Sequence, residues 1–384
     1  MQFIDLQAQR KRIETQVNEA ISNVLTHGMY VMGPEVRSFE ASLAEFSNAK
    51  HALGCGNGTD ALALPLMAWG IGAGDAVFCP SFTFCATAEV VPWVGAEPVF
   101  VDILPDTFNM DPDHLEKAIQ AVQAEGRLTP KVIIAVDLFG QSADYPKIRE
   151  IADRYGLKLI ADSAQGFGTT LNGKHPSDFA DVATTSFFPA KPLGCYGDGG
   201  AVLTNDNQLA ELIDSVRVHG KVTPSDLKGA SFEHDPKYFN MRIGLNSRLD
   251  TIQAAILIEK LNIFAEEIEL RNKVADRYAE GLSGVVKAVP QVMGGVISTW
   301  AQYVIEHENR DGLQAHLRGQ DVPTAVYYPV PMHVNGAYAD FGQGPGGLPV
   351  TEAKAATVLA LPMHPYLSEA DQDKVIEAIR SFNG

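Results

Sequence analysis

Between residues 76 and 204 the chain alternates short apolar runs with longer amphipathic stretches, and this alternation narrows the possible folds more than any other feature. Runs at 76–79, 98–101, 132–136 and 157–160 are dominated by Val, Ile, Leu, Phe and Ala, the pattern of strands buried on both faces. Each intervening stretch is long enough for a helix. Strands separated in this way predict an α/β fold with a mostly parallel, doubly wound sheet, because a parallel neighbour needs a crossover. Runs at 182–186 and 200–204 would complete that sheet.

At 384 residues the chain is too long for one small core. Ahead of the alternating region, Ile13, Val17, Ile21, Val24 and Leu25 recur at helical spacing, Gly28 supplies a stop, and Pro34 suits the start of another helix. A long helical stretch from about Asp250 to Gly281, carrying Ile252, Ala255, Ile256, Ile258, Leu261 and Ile268, leads out of the first domain. Beyond it, runs at 300–305, 324–328 and 360–363 read as strands of a smaller α+β domain. The expected division is 1–255 for the large α/β domain and 256–384 for the small C-terminal one. Residues 223–238 read as an inserted loop and 342–347 as a glycine-rich surface loop.

Charge and composition exclude several classes. A net charge of −17 disfavours DNA, RNA or an anionic membrane as a partner. Cys55, Cys79, Cys85 and Cys195 lack metal-type clustering and read as reduced, packed thiols, so no metal is expected. The first residues carry no basic and apolar leader pattern, and no apolar run approaches ~20 residues, so the expected compartment is the cytoplasm.

The chemistry concentrates around one lysine. Ser186-Phe187-Phe188-Pro189-Ala190-Lys191 closes a strand-like run, and Gly194, Gly197, Gly199 and Gly200 follow, so the backbone can crowd a bound group. The strand would deliver Lys191 to the carboxyl edge of a parallel sheet, where ligand sites of α/β proteins form. Upstream, Asp162 ends another apolar run and is followed by Ser163-Ala164-Gln165. A lysine able to form a Schiff base and an acid able to hold a pyridinium nitrogen are the two groups pyridoxal phosphate chemistry requires. Gln165 would face the ring's phenolic oxygen. Gly54-Cys55-Gly56-Asn57-Gly58-Thr59 reads as a strand–turn–helix whose free N–H groups suit a phosphate, although an ordinary capped turn has the same sequence. Ser186 offers a hydroxyl to the same phosphate. Pro80-Ser81-Phe82-Thr83-Phe84 supplies an aromatic ring for stacking or for the core. Asn246-Ser247-Arg248 adds an amide and a guanidinium suited to carboxylate or phosphate recognition.

Taken in order, Gly56-Asn57-Gly58-Thr59-Asp60-Ala61, Pro80-Ser81-Phe82-Thr83-Phe84, Asp162-Ser163-Ala164-Gln165, Ser186-Phe187-Phe188-Pro189-Ala190-Lys191 and Gly244-Leu245-Asn246-Ser247-Arg248 resemble the DegT/DnrJ/EryC1/StrS nucleotide-sugar aminotransferases across nearly the whole chain. The resemblance implies a fold type I, pyridoxal 5'-phosphate (PLP)-dependent aminotransferase that works as a homodimer with shared active sites. It implies Lys191 as the Schiff-base lysine and proton shuttle, Asp162 as the pyridinium partner, Gln165 beside the ring hydroxyl and Phe84 stacked on the ring. It further implies Gly58, Thr59 and Ser186 as phosphate contacts, with Asn246 reaching the phosphate from the neighbouring subunit.

Within the family the likeness is greatest to the branch that aminates the 3-keto carbon of a UDP-linked 2-acetamido-3-oxo-glucuronic acid, with L-glutamate as donor, for bacterial surface polysaccharide. In that branch Gly28, Tyr30, Ala190, Arg248, Tyr327 and Tyr328 approach the nucleotide sugar, and Arg248 is the candidate for the sugar carboxylate. Two departures bear on the sugar: Tyr327 stands where relatives carry histidine, and the 223–238 segment is longer than expected. The alternatives are a 3- or 4-keto aminotransferase of a neutral UDP- or dTDP-hexose and, from another class, a non-catalytic regulator that senses PLP. A sugar dehydratase of the same family would carry histidine in place of Lys191.

Overall fold

The computed structural model describes residues 1–228 and 234–383. Twelve strands are found among them: β1 (His51–Cys55), β2 (Asp75–Pro80), β3 (Glu97–Val101), β4 (Thr129–Val136), β5 (Lys158–Asp162), β6 (Thr170–Leu171), β7 (Val182–Ser186), β8 (Gly200–Thr204), β9 (Val296–Ile297), β10 (Tyr303–Glu306), β11 (Gly342–Gln343) and β12 (Val358–Leu361). Eight form one sheet in the order β1-β8-β7-β5-β4-β2-β3-β11. Only β8 runs against the rest, being antiparallel to both β7 and β1. The remaining pairings are parallel. The apolar runs become the central strands because both their faces are covered: in β4, for example, Val132 to Val136 are all buried.

Helices cover both sides. One layer packs the helix Pro34–Phe46 through Val36, Phe39 and Leu43, together with Leu115 and Ile119 of Pro112–Glu125 and Ile148 of Tyr145–Tyr155. The opposite layer uses Leu62 and Leu66 of Gly58–Ala68 and Val90 and Val91 of Ala86–Trp93. Gly28 ends the helix Glu14–His27 in the left-handed region at φ +71°, where glycine meets no Cβ penalty.

The helix Thr251–Leu282 runs unbroken through 32 residues. Its first half supplies Ala254 and Leu257 to the large core, and its second half supplies Val274, Tyr278 and Leu282 to another core with Tyr303, Leu313, Leu317, Leu361 and Val375. The second core holds the antiparallel pair β10–β12 and the helices Arg310–Gly319 and Glu369–Arg380. The two cores meet around Phe82, Phe108, Phe139, Val304 and Ala360.

Three expectations for the C-terminal part are corrected. Residues 324–328 do not form a strand; they pair with β12 through a bridge from Ala325 to Ala360, and Tyr328 turns toward Phe82 and Phe84 while Tyr327 packs on Phe3. The strand expected at 300–305 is β10 at Tyr303–Glu306, because Trp300 takes φ +46° and breaks extended backbone. The glycine-rich loop at 342–347 begins with β11, a parallel edge strand on β3. The expected insertion at 223–238 lies partly outside the described residues; on its near side Arg242 pairs with Asp226 at 2.8 Å.

Candidate active site

Cys55, Pro80, Val136, Asp162 and Ser186 end β1, β2, β4, β5 and β7, which all point the same way, so the turns that follow share one edge of the sheet. Sequence-distant groups meet there. Asp162 is flanked in register by Val136 and Thr184 and is 4% exposed. Thr87 Oγ1 donates to its Oδ2 at 2.8 Å and the Ala164 N–H donates to its Oδ1 at 3.2 Å. Burial raises the pKa of this carboxyl, while these donors and the Lys191 charge pull it back.

Lys191 sits in a tight turn closed by its own N–H, which donates to Phe188 O at 2.8 Å. A Cβ on Gly194 would lie 2.5 Å from Pro189 O, so the turn can close only over glycine. The turn hangs from the helix Thr251–Leu282 at two points: Gln253 Oε1 accepts from the Tyr196 N–H at 2.8 Å, and buried Lys260 donates to Gly194 O at 2.5 Å. Lys260 also lies 4.4 Å from the Tyr196 ring centroid, and burial depresses its pKa to about 8. Lys191 Nζ itself has no hydrogen-bond or ion-pair partner among the described residues. Burial depresses its ammonium and nearby Asp162 opposes the shift, which favours a free amine over that of a solvated lysine.

Gln165 is 3% exposed and its amide has a fixed orientation: Oε1 accepts from the Phe139 N–H at 2.9 Å and Nε2 donates to Tyr328 Oη at 2.9 Å. Of the two rings offered by 80–84, Phe82 is fully buried, stacked near Phe108 and edge-on to Phe139. Phe84 is 53% exposed, with its ring centroid 6.5 Å from that of Tyr328, so Phe84 is the ring available to a ligand. Tyr327 is partly buried between Phe3 and Tyr328.

At the start of the helix Gly58–Ala68, Asn57 caps the N–H of Asp60 at 2.8 Å and its carbonyl takes that of Ala61. The N–H groups of Gly58 and Thr59 have no acceptor among the described residues, and the helix dipole favours an anion there. A Cβ on Gly58 would lie 2.5 Å from Ser186 Cβ, so glycine lets β7 and the helix start close into a cradle. Ser186 Oγ accepts from the Phe188 N–H at 3.3 Å, leaving its own proton free for the same anion.

The segment 246–253 joins the pieces. Ser247 Oγ accepts from the Gly56 N–H at 3.0 Å, and Leu249 packs on Gly54 and Gly199. Val31 bridges Asp250, and the Thr251 N–H donates to Tyr30 O at 3.0 Å. The loop holding Gly28 and Tyr30 is thereby tied to the segment holding Asn246 and Arg248. Asn246 and Tyr30 are exposed, Ala190 and Arg248 partly buried, and Arg248 has no acceptor among the described residues.

Three residues were not singled out from sequence. Thr87 and Ser247 gave no signal, since their contacts cross the chain. Asp137 follows β4 fully buried, accepting from Tyr145 Oη at 2.8 Å, Ser163 Oγ at 2.5 Å and the Ala143 N–H at 3.1 Å, and burial pushes it up to about 7. An aspartate directly after a buried strand was the available signal. None of the cysteines is bonded to another; Cys55, Cys79 and Cys195 are buried and Cys85 is partly exposed. Among the described residues no group of three or more His, Cys, Asp or Glu is placed to hold a metal, and no helix is long and apolar enough to cross a membrane.

These donors form a set with one geometry: an anion cradle, an unpartnered lysine, a buried acid, an oriented amide and an exposed ring. That set fits pyridoxal phosphate, and on this sheet it defines a fold type I PLP-dependent aminotransferase. The profile of the DegT/DnrJ/EryC1/StrS aminotransferase family matches residues 11–380, and the chain belongs to that family. It is 47% identical over 372 residues to the UDP-2-acetamido-2-deoxy-3-oxo-D-glucuronate aminotransferase of Pseudomonas aeruginosa, covering 96% of this chain and 97% of that one. A DegT DnrJ EryC1 StrS aminotransferase from Brucella abortus superposes with a TM-score of 0.95 at 55% identity, covering 100% of both chains. NtdA from Bacillus subtilis, solved with bound cofactor PMP, superposes with a TM-score of 0.82 at 29% identity, covering 98% of this chain and 82% of NtdA.

Proposed function

We propose that the protein transfers an amino group from L-glutamate to the 3-keto carbon of UDP-linked 2-acetamido-3-oxo-glucuronic acid, for bacterial surface polysaccharide such as O-antigen or lipopolysaccharide. The observation that carries the choice of sugar is Arg248, a partly buried guanidinium without a carboxylate partner among the described residues, held beside the loop of Tyr30. A planar, two-pronged donor distinguishes a uronate from a neutral hexose. The likeness to the Pseudomonas aeruginosa enzyme supports the same reading.

Pyridoxal phosphate, when bound, supplies an aldehyde for the amine and a ring that draws electron density from the substrate carbon. Lys191 is assigned to hold it covalently and then, as a free amine, to take and return the proton at the substrate carbon. Asp162 would hold the ring-nitrogen proton, and Gln165 would present an amide proton to the phenolic oxygen. Phe84 would stack on the ring. Gly58, Thr59 and Ser186 would bind the phosphate, with Asn246 of a neighbouring copy completing the contacts. Gly28, Tyr30, Ala190, Tyr327 and Tyr328 line the way in for the nucleotide sugar. The same proposal includes a cytoplasmic homodimer with shared sites and the division at 255/256.

The test is amination of the UDP-linked 3-oxo-uronate, generated in place, against its neutral 3-keto and 4-keto counterparts. The expected outcome is product from the uronate alone; product only from a neutral UDP- or dTDP-hexose would keep the reaction and discard the substrate.

A further inference from the structure

We propose that Thr87 is a positioning residue for Asp162, the last member of a line in which Thr83 donates to Thr87 and Thr87 donates to the carboxylate, and that this line keeps Asp162 an ionised acceptor aimed at the ring-nitrogen position. The inference rests on the reading of Asp162 given above and adds two residues to it.

Hydroxyl counting gives the line its direction. An ionised carboxylate only accepts, so the single Thr87 proton goes to Asp162 Oδ2 across 2.8 Å. The remaining contact, 3.0 Å between Thr83 Oγ1 and Thr87 Oγ1, then has Thr83 as donor. Thr83 is 3% and Thr87 1% exposed, so bulk water cannot replace either proton. Asp162 Oδ1 keeps the Ala164 N–H, whereas Oδ2 has no donor but Thr87 among the described residues. Burial already favours the neutral acid at this position, with Asp137, Tyr145 and Tyr328 as further titratable neighbours and Lys191 as the opposing charge. Loss of the Thr87 donor would therefore let Asp162 take the proton that the ring nitrogen should keep.

The placement couples two ends of the site. Thr83 and Thr87 bracket Phe84, so the segment that presents the exposed ring also steers the acid. That segment is anchored from outside: Ser81 Oγ lies 2.7 Å from His333 Nδ1 and accepts from the His333 N–H at 3.1 Å, and His333 Nε2 lies 3.1 Å from Glu352. Ser81 is fully buried, so this Ser–His–Glu row is a brace rather than a nucleophile.

The experiment reconstitutes wild type, Thr87→Val, Thr87→Ser and Thr83→Val with PLP labelled with ¹⁵N in the ring. It reads the ring-nitrogen resonance by NMR at fixed pH and the rate of the glutamate half-reaction. Thr87→Val, which keeps shape and loses the hydroxyl, should move the resonance toward that of neutral pyridine and slow the half-reaction about tenfold. Thr87→Ser should restore both. Thr83→Val should give a smaller shift in the same direction and carries the test if Thr87→Val does not fold. An unchanged resonance in the valine variants, or no rescue by serine, overturns the proposal. If the wild-type resonance is that of neutral pyridine, the reading of Asp162 fails first, whatever the variants do.

Discussion

The Asp162 end of the site and its mouth are built on opposite terms. At the deep end the three polar side chains behind the site are held firmly: Asp162 has two donors, Gln165 is held on both atoms, and Asp137 behind them accepts three bonds. All of it comes from strand ends and their first turns. At the mouth, the Arg248 and Asn246 side chains have no partner among the described residues, and Met29, Tyr30, Val31 and Phe188 are about half exposed. The contrast teaches which half is preorganised for chemistry common to many substrates and which is left to select among them.

The contrast can be broken most severely at the group between the two ends. Lys191→Ala is expected to lower turnover by at least ~10³-fold, measured as single-turnover conversion of glutamate. Activity within tenfold of wild type would remove the lysine from the centre of the comparison. The mouth is tested by Arg248→Ala, which should raise KM for the uronate about 10–100-fold, the worth of a bidentate charged contact. The glutamate half-reaction should stay within about threefold; equal loss in both would make Arg248 part of the deep end.

The smallest effect sharpens the deep end through pH. Asp137 binds its proton up to about pH 7 in the fold, against about 4 in an unfolded chain. Between those values the folded state holds more protons, so this group's contribution to stability is present at low pH and lost as pH rises toward 7. Asp137→Asn removes that titration. The melting-temperature advantage of wild type over the variant in apo-protein should therefore grow by a few degrees between pH 7.5 and pH 5.5. A difference independent of pH would mean that Asp137 is ionised throughout.

What could be read from sequence follows the range of the interactions. The alternating runs marked the central strands because burial on both faces leaves a local trace. Asp162 was legible because it ends such a run, and Lys191 because it follows one and precedes a glycine-dense turn. The segment 324–328 looked like a strand by its own residues, yet the buried aromatic cluster between the two cores claims Tyr327 and Tyr328. β11 was unreadable because two residues of a Gly-Gln pair become a strand only by lying against Val99 and Phe100. Thr87 and Ser247 were invisible for the same reason: their partners, Asp162 and Gly56, are far away in the chain.

The two tethers of the Lys191 turn lie on one helix, at Gln253 and Lys260, about two turns apart and so on the same face. The helix therefore acts as a ruler whose divisions must match the turn. One residue inserted between them would swing the second tether about 100° around the axis, away from Gly194. The spacing of 253 and 260 is thus as fixed as the lysine itself, and length changes in this chain belong in the surface loops.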